Sequence, residues 1–270
     1  MMFKNYLIVA SRQDKAGMNI VRELFQYVDE FKSENLQFHL IEGSILDENN
    51  LDMNLIEKFD FVFFASKHQS EKKEKTLSIH CPGNLKEVWG GGQAGKLSPG
   101  SALFNKHLFE TLHKTVKEND FRHYKITLEA THHGPLIDKP CVFIEIGSTE
   151  TEWKDRRAGF ILARTIKDAT ESFQRTKYPE VAIGIGGPHY APNFNKIQEK
   201  SNIAIAHIIP NYIQPFDDEI IIEALRKTLE EVEFAVVDWK GLGKAEERNK
   251  VIQILERNYV RWKKTSEIKK

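Results

Sequence analysis

Seven residues, Glu129 to Pro135 (EATHHGP), gather a carboxylate, a hydroxyl and two adjacent imidazoles ahead of a glycine-proline turn. The chain holds 10 His among 270 residues, so two side by side concentrate metal-ligand and acid/base chemistry in one place. Further groups of this kind follow apolar runs. His68 comes after DFVFFAS, His80 precedes Cys-Pro-Gly, His189 follows VAIGIGG, and His207 lies in IAIAHIIP. In open α/β sheets the crevice beyond the strand ends is where ligands bind. A histidine beside a turn also serves as an ordinary hydrogen-bonding residue. Glu145, inside CVFIEIG, is a sharper signal. A carboxylate in an apolar strand is costly to bury alone, so it is paired, metal-bound or an acid/base.

Strand geometry refines these expectations. Alternate residues share a face, so Cys141, Phe143 and Glu145 point one way. On a continuing strand, His133 joins Glu129 and Thr131 while His132 faces away, and one metal takes one of the two. Only a tight turn at Gly134-Pro135 brings both together.

Other chemistries lack their residues. Gly90 to Lys96 fits G-x-x-x-x-G-K, but Leu97 follows where a P-loop needs Ser or Thr, and Pro99-Gly100 breaks the required helix. Neither H-E-x-x-H nor G-x-S-x-G occurs. Cys81 and Cys141, the two cysteines, are too few for a disulfide framework and read as free thiols of a reducing cytoplasm. No run approaches a membrane span. Acidic and basic residues balance at 39 each, which argues against a polybasic binder but not against a local basic surface.

The elements that must position these groups follow from hydrophobic period. Strands are expected at Tyr6–Ala10, Leu36–Ile41, Asp60–Ser66, Tyr124–Ala130, Cys141–Gly147, Val181–Ile185, Ile203–Ile209 and Phe234–Val237. Helices are expected at Asn19–Val28, Ser101–Val116, Glu150–Phe173, Ile220–Leu229 and Ala245–Leu255. Residues 67–100, charged and then glycine-rich, read as a long irregular loop at the site. The tail WKKTSEIKK reads as frayed. Mixed strands and helices without a linker predict one α/β domain over residues 1–270, with a central mixed sheet flanked by helices.

Taken in order, ASKHQS, TLSIHCPGN, EATHHGP, FIEIGSTETEW with DRRAG, GIGGPHYAP, AHIIPNY and VDWKG resemble the archaeal and plant-type D-aminoacyl-tRNA deacylases. HCPGN and Pro188 before His189 depart from the family's usual pattern. The resemblance implies hydrolysis of the ester between a D-amino acid and the terminal ribose of tRNA. It also implies zinc, a monomer, no membrane, and a phosphorylase/hydrolase-like core similar to peptidyl-tRNA hydrolase. On that basis His80, His133 and His189 are expected to hold zinc, and His132, Glu129 and Glu145 to do the chemistry. Lys67, His68, Gly186, Gly187, Tyr190 and His207 are expected to bind substrate, with backbone N–H groups at Gly186-Gly187 facing the oxyanion. Lys67, Lys72, Lys73 and Lys75 are candidates for tRNA contact, and Trp89 or Tyr190 for stacking. A phosphorylase-like enzyme using the glycine loops for phosphate, and a non-catalytic RNA-binding module, are the competing readings.

Overall fold

The computed structural model describes residues 3–27, 36–174 and 180–269. Its central sheet has six strands: β1 (Tyr6–Ser11), β2 (Leu36–Ile41), β3 (Phe61–Gln69), β4 (Thr76–His80), β7 (Lys125–Leu128) and β8 (Cys141–Ser148), in the order β2-β1-β3-β8-β4-β7. β4 runs antiparallel to β8 and parallel to β7, and the other pairs are parallel, so the sheet is mixed as expected. β1 is buried along its whole length, as is β8. Such continuous apolar runs suit strands covered on both faces.

The C-terminal strands leave this sheet. β9 (Glu180–Ile185), β10 (Ile203–Ile209), β11 (Phe234–Val237) and β12 (Trp262–Lys264) form a second, all-parallel sheet in the order β10-β9-β11-β12. A short ribbon, β5 (Gly83–Asn84) with β6 (Lys96–Leu97), completes the strands.

Four expectations change. The segment 67–100 is not one irregular loop, because TLSIH is the buried strand β4 within the central sheet. The tail is not frayed at its start, since Trp262–Lys264 pairs with β11. The long helix at 150–173 is two: α4 (Glu150–Trp153) and α5 (Arg156–Ser172). Asp155 separates them by accepting the N–H groups of Arg157 and Ala158, the work of an N-cap. The first helix, α1, spans Lys15–Phe25 behind the cap Asp14, and the expected end at Val28 lies outside the described residues.

The remaining helices are α2 (Met53–Ile56), α3 (Ala102–Glu118), α6 (Pro192–Lys200), α7 (Asp218–Arg226) and α8 (Ala245–Arg257). On α5, Ala158, Ile161, Leu162, Thr165, Ile166 and Ala169 are buried, the stripe that the 3.6-residue period predicts. Gly17 of α1 sits where a Cβ would come 2.4 Å from the Ala65 carbonyl, so helix and strand approach closely. α3 packs against α5 and α6 and against β10, and one hydrophobic core runs from β1, β3 and β8 through α3 into β9, β10 and β11. No helix among the described residues is long and apolar enough to cross a membrane.

Candidate active site

Three strands and two turns deliver the polar cluster. His68 comes from β3, His80 from the end of β4, Glu145 from β8, Glu129 to His133 from the turn after β7, and His189 from the turn after β9. Alternation along β8 places Cys141 and Phe143 in one apolar cluster and Val142, Ile144 and Ile146 in another. Glu145 therefore shares the face of Phe143, as expected. Phe143 forms the floor: His80 lies flat on it at 5.0 Å and His133 stands edge-on at 4.7 Å.

The expected divergence of His132 and His133 does not occur. The strand stops at Leu128, and His133 adopts a left-handed backbone with φ of 44°. This conformation is uncommon for a residue with a Cβ, and it breaks the alternation. The two rings meet at 4.2 Å, and both pack on His80, at 4.1 Å and 4.8 Å. The turn is held from outside, because Gly83 N–H donates to the His133 carbonyl at 2.7 Å.

Each of these three imidazoles donates Nδ1–H to a backbone carbonyl: His132 to Ala130 at 2.8 Å, His133 to Gly134 at 2.7 Å, His80 to Cys81 at 3.3 Å. A carbonyl only accepts, so in the neutral ring the proton sits on Nδ1 and Nε2 carries the lone pair. Burial, then the neighbouring His80, pushes His132 well below the usual histidine range and His133 down to about 4. Both stay neutral, the form that binds metal. The His80 Nε2 is buried with no hydrogen-bond partner. Ligand-capable atoms of His80, His132 and His133 lie within 4.8 Å of one another, and so do those of His68, Glu129 and His189, and of His80, Glu129 and Glu145. The expected trio of His80, His133 and His189 is not assembled: His132 stands where His189 was placed.

The carboxylates form the other half. Glu129 Oε2 accepts from His189 Nε2–H at 3.0 Å and lies 3.6 Å from His132 Nε2. His189 Nδ1 then accepts from the Tyr212 hydroxyl at 3.1 Å. His68 Nδ1 faces Glu129 Oε1 at 3.1 Å and Glu145 Oε2 at 3.7 Å, close enough for ion pairs. Burial alone would lower His68, but the two carboxylates outweigh it and raise its pKa to about 11. Burial works against both glutamates too, yet His189 and His68 hold Glu129 well below the usual carboxylate range, and His68 and His80 lower Glu145. Two carboxylates with one imidazolium leave a net negative charge beside the neutral rings of His132 and His133, a donor set that suits a divalent cation.

A cleft of about 500 Å³ opens above this floor, lined by Gly83 to Glu87, Trp89, Thr131, His132, His133, His189 and Tyr212 to Gln214. A roomier groove beside β12, lined by Glu180, Glu256 and Tyr259 among others, brings no such cluster together.

None of the six residues expected to bind substrate lines this cleft. His68 is buried, with Nε2 bonded to the Tyr190 hydroxyl at 2.7 Å. His207 is fully buried, donating Nε2–H to the Lys227 carbonyl at 3.2 Å and accepting from the Thr131 hydroxyl. Gly186 N–H donates to the Ile209 carbonyl, so it does not face an oxyanion, and Gly187 packs on Asp238. Lys67 lies over the Trp153 ring at 5.1 Å. Its backbone N–H donates to Asp14, a buried carboxylate that sequence reasoning passed over as a helix cap. Tyr212, which also went unnoticed, has a surface position and shows its role only through His189. The glycine run 90–92 is no phosphate cradle, because Gly92 N–H donates to the Glu48 carboxylate and an anion would be repelled there.

Comparison with known proteins follows the same cluster. The family profile described as D-aminoacyl-tRNA deacylase matches residues 55–263, which contain every side chain of the site. A D-aminoacyl-tRNA deacylase of Pyrococcus furiosus is 37% identical over 254 residues, 87% of this chain and 91% of its own. One from Thermococcus onnurineus is 35% identical over 252 residues, with the same coverage. One from Methanocaldococcus jannaschii is 29% identical over 267 residues, 96% of this chain and 99% of its own. The crystal structure of a conserved protein of unknown function, AF0625, superposes with a TM-score of 0.88 at 28% identity, over 99% of this chain and 98% of the other.

Proposed function

The chain belongs to the D-aminoacyl-tRNA deacylase family, and on that premise we propose that it hydrolyses the ester joining a D-amino acid to tRNA, at the floor of the cleft and with zinc. The observation that carries the metal part is the trio of Nε2 lone pairs. Nδ1–H of His80, His132 and His133 is committed to a carbonyl in each case, and the three rings share a buried floor. These three residues would hold the metal. Zinc, when bound, lowers the pKa of a coordinated water to about 7 and polarises an ester carbonyl.

The chain's own groups supply the rest. Among the described residues no Ser or Cys lines the cleft, and Cys81 is buried, its thiol contacting Asn105 and pushed up to about 12 by burial. Water is then the attacking group, and a carboxylate beside the trio takes its proton. Glu129 fits that task, because Oε2 lies 3.6 Å from His132 Nε2 and is kept anionic. Glu145 Oε2, 3.8 Å from His80 Nε2, balances the charge on the other side. His68 is a fixed positive charge between the two glutamates rather than a neutral base, as its raised pKa requires. The departing ribose oxygen needs a proton. His189 lines the cleft between Glu129 and Tyr212, whose hydroxyl donates to its Nδ1 at 3.1 Å. The His189–Tyr212 pair thus reaches from the buried carboxylate to the open cleft, and the Tyr212 hydroxyl, turning from His189 Nδ1, can give its proton to the leaving oxygen and recover one from solvent.

The deciding experiment is deacylation of D-Tyr-tRNA and L-Tyr-tRNA by the purified protein, before and after chelation and again after zinc is restored. Release of D-Tyr in preference to L-Tyr, abolished by chelator and regained with zinc, is the expected result. Full activity in protein shown to be metal-free removes the metal from this reading. No release from either substrate removes the deacylase assignment.

A further inference from the structure

Trp89 is an anomaly on the rim of the cleft. Its indole is 65% exposed, yet it is held in place from three directions. The backbone N–H of Trp89 donates to Asn84 Oδ1 at 2.8 Å, and the same amide's Nδ2 donates to the Gly91 carbonyl at 2.6 Å. The next residue, Gly90, accepts from Gly134 N–H at 3.2 Å, so the loop is fastened to the turn that carries His132 and His133. Gly91, at φ of 81°, lies where a Cβ would strike the Leu46 carbonyl, so the loop also presses against a second segment. One indole face lies on His132 at 5.6 Å with the planes 25° apart. A nearly parallel ring on one side, together with this exposure, leaves the opposite face open to solvent. Val88 beside it is also exposed. Mobile loops carry large apolar groups at little consequence, but this one is fixed relative to the reacting centre.

We infer that the open face of Trp89 is the stacking platform for a purine base, the terminal adenine of the tRNA substrate, and so sets where the ester carbonyl falls relative to His132. The inference rests on the deacylase reading for the identity of the base. Its physical support is independent: an indole face is the usual partner of an unpaired base, and stacking tolerates water around the base edges. The indole lies between the base and His132, so the ribose must pass the indole's edge to bring the acyl ester into the cleft above the histidine floor. Asn84 acts here through Trp89 and is a positioning residue.

The test is calorimetric binding of adenosine 5′-monophosphate to wild type, W89A and W89F, with ribose 5-phosphate as the control lacking a base. It is accompanied by the ratio of kcat/KM for 3′-O-D-tyrosyl-adenosine over D-tyrosine ethyl ester. The expected result is binding of the nucleotide and not of the control, an affinity about tenfold weaker in W89A, and near-recovery in W89F, in line with base–aromatic stacking. The ester ratio should fall about tenfold in W89A and return in W89F. Equal nucleotide affinity in wild type and W89A overturns the platform, and so does a wild type that binds ribose 5-phosphate as well as the nucleotide. Wild type that binds the nucleotide through Trp89 but leaves D-Tyr-tRNA intact overturns the deacylase reading and not the platform.

Discussion

At the scale of single residues, the two adjacent histidines behave alike rather than differently. Strand alternation predicts that one meets the metal and its neighbour orients it, but the left-handed backbone at His133 turns both rings to the same floor. His132→Ala and His133→Ala are therefore each expected to lower zinc stoichiometry and single-turnover deacylation together, by about 100-fold or more in rate. Atomic emission on the purified variants checks this, and full zinc in either variant contradicts it. His68 supports a second prediction, for metal-free protein. Its folded pKa is raised, so the stability it contributes is complete below about 6.5, the ordinary histidine value. That stability is then lost as pH rises toward about 11. Urea unfolding at pH 7, 8 and 9 should show stability falling with pH by up to about 1.4 kcal/mol per unit from this group. His68→Gln should be flatter over the same window, and parallel curves for the two proteins would rule the ion pair out as the cause. The types of residue at the site were legible in the sequence because histidine and glutamate are conspicuous in apolar runs. Their grouping was not, because it depends on one φ value and on carbonyls that carry no sequence signature.

At the scale of elements, legibility follows burial. β1, β3, β8 and α5 announce themselves through continuous apolar runs or a clean stripe, since covered strands and core-facing helices have little freedom of composition. β4 does not, because five residues between a lysine-rich stretch and Cys-Pro-Gly are too few to show a period, and its partner strands come much later in the chain. The break between α4 and α5 was readable in principle, as Asp155, three residues ahead of the apolar stripe that starts at Ala158, is an N-cap residue type. Asp155 also accepts from the Tyr124 hydroxyl at 3.0 Å, tying α5 to the start of β7. Asp155→Ala is expected to cost about 1–2 kcal/mol through the lost cap and to leave deacylation within about twofold. Denaturant midpoints beside activity at 25 °C would test this, and an unchanged midpoint would mean that water or a neighbour replaces the cap.

At the scale of the whole molecule, the division into two sheets was the least legible feature. Every strand of the second sheet has the composition of a central strand, and only pairing tells which sheet it joins. α3 is the bridge. Phe104 on that helix is fully buried against Tyr6, Phe61, Phe63 and Phe173, within the core that runs into β9 and β10. Phe104→Ala is expected to destabilise by about 3–5 kcal/mol and to lower the melting temperature while leaving the metal content of folded protein intact. A melt unchanged within 1–2 °C, an experimental tolerance of about that size, would show that the helix is not the keystone. The active turn crosses between the two sheets: Ala130 N–H donates to the His189 carbonyl at 2.7 Å and Thr131 N–H to Ile208 at 2.9 Å. Those two amides can exchange hydrogen for deuterium only when the sheets part at that stitch, and the same parting separates Glu129 from His189. Their exchange rate is thus a clock for the intactness of the proposed catalytic assembly. A protein whose stitch opens once an hour has an active site that is rebuilt once an hour, however stable its core.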